Sequence, residues 1–410
     1  MQNPSTDAPV PAICSRSKWV KPIGVYVHFP WCLRKCPYCD FATFERPREA
    51  IDHRGYANAV IAELDARRDW YKGRLETVFF GGGTPSLWEP AELGRVLEAI
   101  LERAEGLSPD GVEVTVECNP SSLDGPRAKE FAAVGVNRLS VGVQGLDQSR
   151  LEFLGRLHNP DEALAAVRAA IASGVRVNAD LMIGIATGFD ERVHQAPAEA
   201  VREAAVVAEL GVSHISAYQL TVEAKTRFGE LDRKGKLPLV GDDRMATTFL
   251  ETSRALEERG FEHYEISNFA RPGERSRHNV GYWVGQDYLG LGCAAYGTIT
   301  TENGAFRYRN APNPERYLAR VEAGQFEPHE REQLDGPTLL KERIMLGLRL
   351  REGIDLERAA EECRTEAWTD ERRRATRELM SSGRLVQEGG SLRIPRDAWL
   401  FTDGIAAALF

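Results

Sequence analysis

The sequence predicts an α/β fold, a partial (β/α)6 barrel followed by a C-terminal α+β winged-helix-like domain. Three observations lead there. Between residues 23 and 222, short apolar, β-branched runs alternate six times with longer helix-patterned segments, the rhythm of a parallel sheet covered by its own crossover helices. Polar residues gather at the carboxyl ends of those runs, where barrel folds build their sites. From about residue 335, helix-like segments precede "RLVQEGGSLRIP", a strand, a Gly-Gly turn and a second strand.

Taken in order, residues 1–22 form a polar, proline-containing tail that need not be ordered. Strand one, "IGVYVHF", runs into a loop holding Cys32, Cys36 and Cys39. Strand two, "TVFFGG", runs into "GGGTP" (Gly81 to Pro85), and strand three, "VEVTVECN", carries Glu117 and Asn119 at its end. Strand four, "RLSVGV", ends at Gln144; strand five, "RVNADLMIGI", carries Asp180 and Met182; strand six, "HISAYQL", carries Tyr218 and Gln219. Segments such as "AELGRVLEAILERAEG" and "PDEALAAVRAAIASG" supply the crossover helices. The six strand ends define one mouth, and residues 23–222 one barrel unit.

Over residues 223–334 the rhythm weakens, and Tyr264 to Gly297 is a stretch rich in glycine, aromatic and polar residues that propensity does not place. It is expected to complete the sheet and cover the mouth. Residues 335–410 are the winged-helix-like unit; since it is not strongly basic, the reading is a packing domain rather than a DNA reader.

A net charge of −9 with no long Lys/Arg block excludes a dedicated nucleic-acid binder. No run of 18 apolar residues and no signal-peptide pattern is present, so the expectation is a cytoplasmic protein without an integral membrane segment. In that compartment thiols stay reduced, and clustered cysteines read as metal ligands or catalysts.

Three of the seven cysteines fall within eight residues as C-x3-C-x2-C, a pattern that chance would place in such a chain on the order of 0.002 times. A structural zinc wants four ligands, and only His28 and Asp40 lie close by in sequence. An iron–sulfur cluster on three thiolates leaves one iron open to another ligand. The cluster is the better fit to these residues.

With the aromatic Tyr38 just before its last cysteine, this loop resembles the signature of radical S-adenosylmethionine (SAM) enzymes. The resemblance implies a 4Fe-4S cluster on Cys32, Cys36 and Cys39, whose open iron is chelated by SAM, and reductive cleavage of SAM to a 5′-deoxyadenosyl radical. "GGGTP" matches that family's glycine motif, where missing side chains let backbone approach the ligand. Over residues 22–400 the chain further resembles oxygen-independent coproporphyrinogen III oxidases and HemW-type heme chaperones, through "VYVHFPWCLRKCPYCDF", "FFGGGTPSL", "TVECNP", "GVNRLSVGVQ", "GRLHNPDEA", "HISAYQLT" and "YEISNFA". Position by position, it implies SAM contacts at Tyr26, Tyr38, Gly82, Gly83, Thr84, Glu117, Gln144, Arg156, Asp180 and Ala217. The residue chemistry agrees: Glu117 and Asp180 accept hydrogen bonds from an ammonium or ribose hydroxyls, and Arg156 pairs with a carboxylate.

The two subgroups differ in function, since the oxidases decarboxylate porphyrinogen propionates and the chaperones bind heme and deliver it. The oxidases resemble C-x3-C-x2-C-x-C and carry a longer N-terminal extension; here Phe41 occupies the fourth cysteine's position and the tail is short. The chaperones carry an H-N-x-x-Y-W motif associated with heme, present as His278, Asn279, Tyr282 and Trp283. Tyr296 stands where those relatives suggest a histidine, and "GIATGFD" replaces a Pro-Gly-Gln-Thr-like turn. The remaining cysteines, Cys14, Cys118, Cys293 and Cys363, read as small packing residues. The expectation is a heme chaperone using a 4Fe-4S cluster and SAM, with heme as cargo, heme-accepting proteins and an electron donor as partners; the alternative is an oxidase-like decarboxylating enzyme.

Overall fold

The computed structural model describes residues 21–189, 194–301 and 304–410. The expected tail thus lies almost wholly outside the described residues, as does Asp190 of the "GIATGFD" turn.

Six strands open the sheet in chain order: β1 (Pro22–Phe29), β2 (Arg74–Gly82), β3 (Glu113–Cys118), β4 (Arg138–Gln144), β5 (Arg176–Ile183) and β6 (His214–Gln219). Each coincides with one of the apolar runs read from sequence. Neighbours in sequence are neighbours in space, all parallel, which is the winding of a (β/α) barrel. Every residue of β4 is buried, as expected for a strand covered on both faces. The crossover helices carry explicit start signals. Helix Pro160–Ala172 begins with a capping box, the Asn159 side chain accepting from the Glu162 amide while Glu162 accepts from the Asn159 amide, both at 2.9 Å.

Residues 223–334 complete the sheet at both edges. Strands β7 (Glu262–Glu265) and β8 (Asn268–Ala270) extend it antiparallel beyond β6. On the other side β9 (Asp287–Leu291) pairs parallel with β1, and β10 (Tyr296–Thr301), β11 (Gly304–Arg309) and β12 (Glu330–Leu334) follow antiparallel. The path is therefore β7-β8-β6-β5-β4-β3-β2-β1-β9-β10-β11-β12. Between β8 and β9 lies a short helix, Arg277–Trp283, which contains the H-N-x-x-Y-W residues. Its Arg277 and His278 amides donate to the Glu113 carboxylate at the first residue of β3, so the helix packs where the strands begin. That is the end opposite the mouth, so this helix departs from the expectation of a cover over the mouth, whereas Phe228 of the same region packs against Tyr38 of the cysteine loop.

The C-terminal segment folds around its own apolar cluster, including Leu340, Ile344, Leu356, Leu392 and Trp399. Helices Gly336–Gly347, Leu356–Cys363 and Asp370–Ser381 pack with a small antiparallel sheet, β13 (Ile354–Asp355), β14 (Val386–Glu388) and β15 (Ser391–Arg393), in the order β13-β15-β14. Arg349 anchors it to the sheet by pairing at 2.7 Å with the buried Glu265 of β7.

Candidate functional site

The carboxyl ends of β1 to β6 surround a cavity of about 180 Å³. Cys32, Cys36 and Cys39 all line it. Their loop cannot form regular helix between Pro30 and Pro37, and it is fixed at several points instead. The two-residue strand Trp31–Cys32 pairs with Phe44–Glu45, the Cys39 amide donates to the Cys36 carbonyl at 3.1 Å, and the Phe228 amide to the Pro37 carbonyl at 3.0 Å.

Each sulfur has a polar neighbour. The Thr84 hydroxyl donates to Cys32 Sγ at 3.2 Å, Arg156 Nη1 donates to Cys36 Sγ at 3.6 Å, and Cys39 Sγ lies 4.0 Å from the Thr43 hydroxyl. Burial pushes the Cys32 thiol up to about 11 and raises Cys39 as well, a cost that ligation to a cation reverses by deprotonating the thiol outright. Among the described residues no three His, Cys, Asp or Glu side chains converge as the ligands of one metal ion would. The thiols instead line a shared cavity, an arrangement that fits a polynuclear cluster.

The glycine turn forms the next wall. Gly82 has φ +113°, a left-handed conformation open to glycine, and a Cβ there would stand 2.6 Å from the His28 ring. A Cβ on Gly83 would stand 2.6 Å from the Trp31 carbonyl oxygen. The His28 ring bonds through Nε2 with the Ala42 carbonyl at 3.0 Å and through Nδ1 with the Tyr26 hydroxyl at 3.1 Å, and burial lowers its pKa to about 4. It is neutral scaffolding behind the turn.

Opposite stand two half-buried carboxylates. Glu117 accepts from the Gly82 amide at 3.1 Å. Burial, and after it the charge of Asp180, pushes Glu117 up to about 7. Asp180 is itself raised by burial, though it accepts from Asn178 Nδ2 at 2.7 Å and the Ser140 hydroxyl at 3.1 Å. Gln144, in a left-handed conformation at φ 67°, accepts from the Tyr218 hydroxyl at 2.9 Å. Arg156 donates through Nη2 to the Gly142 carbonyl at 3.1 Å, and its Nη1 lies 3.5 Å from the Tyr38 hydroxyl. The cavity thus offers a guanidinium beside the thiols, acceptors for an ammonium or hydroxyls, and exposed backbone at a glycine turn.

Of the residues predicted to contact SAM, Tyr38, Gly82, Gly83, Thr84, Glu117, Gln144, Arg156 and Asp180 line this cavity. Tyr26 lies beneath it, with its ring stacked on Phe79. Ala217 is buried with its amide donating to the Ser267 carbonyl at 2.8 Å. Its neighbour Tyr218 lines the cavity in its place, together with Ser140 and Asn119. The signal for Ser140 was present in the alternation of β4, which puts Ser140, Gly142 and Gln144 on one face.

His278, Asn279, Tyr282 and Trp283 do not join this site. His278 is 3% exposed, and both ring nitrogens are engaged, Nδ1 with the Thr77 hydroxyl at 2.7 Å and Nε2 with the Tyr282 hydroxyl at 3.0 Å. The Asn279 amide donates to the capping Ser276 hydroxyl, and Trp283 lies under the Arg349 guanidinium at 5.0 Å. Phe41 lies at the rim of the cavity, 57% exposed. Tyr296 is exposed on β10 with the Arg309 guanidinium over its ring at 5.2 Å. No helix among the described residues is long and apolar enough to cross a membrane.

Residues 26–196 match the radical SAM superfamily, which implies a 4Fe-4S cluster and SAM, and residues 334–401 match the HemN C-terminal domain. The heme chaperone HemW of Escherichia coli (strain K12) is 37% identical over 285 residues, covering 69% of this chain and 72% of its own length. The heme chaperone HemW of Mycobacterium tuberculosis (strain ATCC 25618 / H37Rv) is 34% identical over 401 residues, 95% of each chain. The solved structure of coproporphyrinogen III oxidase (HemN) from Escherichia coli matches with a TM-score of 0.78 over 95% of this chain and 90% of that chain at 19% identity, which shows a common fold. Identity at this level, carried through barrel and C-terminal unit alike, places the chain in the HemW family of radical SAM proteins.

Proposed function

We propose that this protein is a heme chaperone of the cytoplasm, binding heme and passing it to heme-accepting proteins. Cys32, Cys36 and Cys39 hold a 4Fe-4S cluster, reduced by a separate electron donor. The glycine turn would admit SAM, with Glu117 and Asp180 as acceptors for its ammonium and ribose hydroxyls and Arg156 as partner for its carboxylate. Cluster and SAM together supply one-electron redox chemistry at the mouth. The protein's own groups bind and orient: Gly82 and Gly83 admit the ligand against backbone, Thr84 and Arg156 stabilise thiolate charge, and Tyr38 borders the adenine.

The observation that carries this reading over the oxidase is Phe41. Where the oxidases resemble a fourth cysteine, this chain puts an exposed aromatic at the rim, a surface suited to a flat apolar cargo rather than to a further thiol. The relatives from Escherichia coli and Mycobacterium tuberculosis that it matches across most of their length are named heme chaperones. The alternative, porphyrinogen decarboxylation, draws on motifs common to both subgroups, on the C-terminal domain match and on fold likeness.

One sample tests both. Anaerobically reconstituted protein should give a Soret band on heme titration, hand that heme to an apo-acceptor, and form no protoporphyrinogen from coproporphyrinogen with SAM and a reductant. Turnover of coproporphyrinogen would overthrow the chaperone reading.

A further inference from the structure

A column of stacked rings crosses the barrel interior from the Arg277–Trp283 helix to the glycine turn. At its foot His278 is held by Thr77 and Tyr282 through both ring nitrogens. The imidazole stacks on Phe79, centroids 4.8 Å apart and planes 20° from parallel, and Phe79 stacks on Tyr26 at 6.2 Å and 22°. Gly81 closes the column at the top: a Cβ there would stand 2.9 Å from the Phe79 ring, 2.9 Å from the Tyr26 ring and 3.1 Å from the Glu117 carboxylate. At the lower end a Cβ on Gly24 would stand 3.1 Å from the Thr77 hydroxyl and 3.5 Å from the imidazole. Two glycines bracket the column, one admitting the imidazole and the other letting backbone rest on the rings.

We propose that His278 is a positioning residue for SAM, setting through Phe79 and Tyr26 the height at which the Gly81–Gly83 turn and the Glu117 carboxylate meet that ligand. This rests on the reading that the turn and Glu117 bind SAM. Thr77 and Phe79 lie on the same strand that ends in the turn, so a shift of the imidazole moves β2 and the ring floor together. The same arrangement withholds the imidazole from a heme iron, because neither ring nitrogen is free.

The test measures SAM affinity by calorimetry, and the electron paramagnetic resonance spectrum of the reduced cluster with and without SAM, on reconstituted full-length protein. His278→Ala should raise the SAM Kd about fivefold to tenfold, weaken the SAM-induced spectral change at full iron content, and leave heme affinity at the wild-type value. His278→Phe, which keeps a ring on Phe79, should recover most of the SAM affinity. Should His278→Ala fail to fold, Phe79→Leu serves, since it leaves the His278 hydrogen bonds in place and should weaken SAM to the same degree. Unchanged SAM affinity in a folded His278→Ala or in Phe79→Leu overturns the proposal. Absence of SAM binding by the wild type sinks the underlying reading itself, a result distinct from a variant that matches a binding wild type.

Discussion

The Gly82 amide donates to Glu117 Oε2 at 3.1 Å, joining the glycine turn of β2 to a half-buried carboxylate on β3. Since burial and then Asp180 push that carboxyl up to about 7 from an ordinary 4.5, it is half protonated near neutral pH, and a cationic ligand favours the ionised form. SAM affinity should rise with pH between about 6 and 8 and level off above; Glu117→Gln should bind more weakly and flatten the profile. The stability effect has the opposite sign. A carboxyl raised in the folded state binds its proton more tightly there than when unfolded, so the ligand-free protein should lose stability as pH rises from about 4.5 to about 7. Calorimetric titrations and urea unfolding across that window check both signs.

Thr84 donates to Cys32 Sγ at 3.2 Å, and hydrogen bonds to ligand sulfurs raise a cluster's potential. Thr84→Val should keep full iron content and move the cluster to a more negative potential, read by redox titration. Replacing Cys32, Cys36 or Cys39 by alanine should lose the cluster and its absorbance. Zinc without iron in the reconstituted wild type would refute the cluster assignment.

Gly82 and Gly83 should fail in different ways. A Cβ at Gly82 meets a side chain, the His28 ring, in a left-handed backbone that costs a non-glycine residue about 1–2 kcal/mol. Gly82→Ala should retain iron and lose SAM affinity about tenfold or more. At Gly83 the obstacle is the backbone at Trp31, beside Cys32, so Gly83→Ala should displace the cysteine loop and lower iron content too. Iron analysis beside calorimetry separates them.

Behind the site, the buried Arg67 guanidinium pairs with Glu63 at 2.5 Å and stacks over Tyr308 at 4.9 Å, while Glu63 also accepts from the Gly292 amide, Asn310 and Tyr317. Arg67→Met leaves that carboxylate buried without its counter-charge and should cost about 3–5 kcal/mol in denaturant unfolding. Adding Glu63→Gln should restore part of it.

The strands that build the cavity were legible because a parallel strand buried on both faces can hardly avoid a continuous apolar run, as "RLSVGV" shows. The cysteine loop and "GGGTP" were legible because their chemistry lies in sequence-local spacing. Residues 277–283 were not. That helix has seven residues, a glycine inside it and two aromatics at its end, too short for helical periodicity to register. Its position under the barrel depends on contacts with Thr77 and Glu113, some 165 to 201 residues away in sequence. Tyr218 was placed at the mouth by its strand end, but its bond to Gln144, 74 residues earlier, is a pairing that no local pattern announces.

The pairing of β1 with β9 sets a timetable for synthesis. The strand that leads into the cysteine loop ends at Phe29, while the partner on its outer edge begins only at Asp287. At ribosomal speeds of about 5–20 residues per second that interval is roughly 13–50 s, during which a nascent chain carries β1 with one edge bare. The three cysteines therefore emerge early and gain their finished surroundings late, so iron delivered to a completed chain meets a seated loop, whereas iron or oxidant meeting the nascent chain finds thiols on an unfinished sheet.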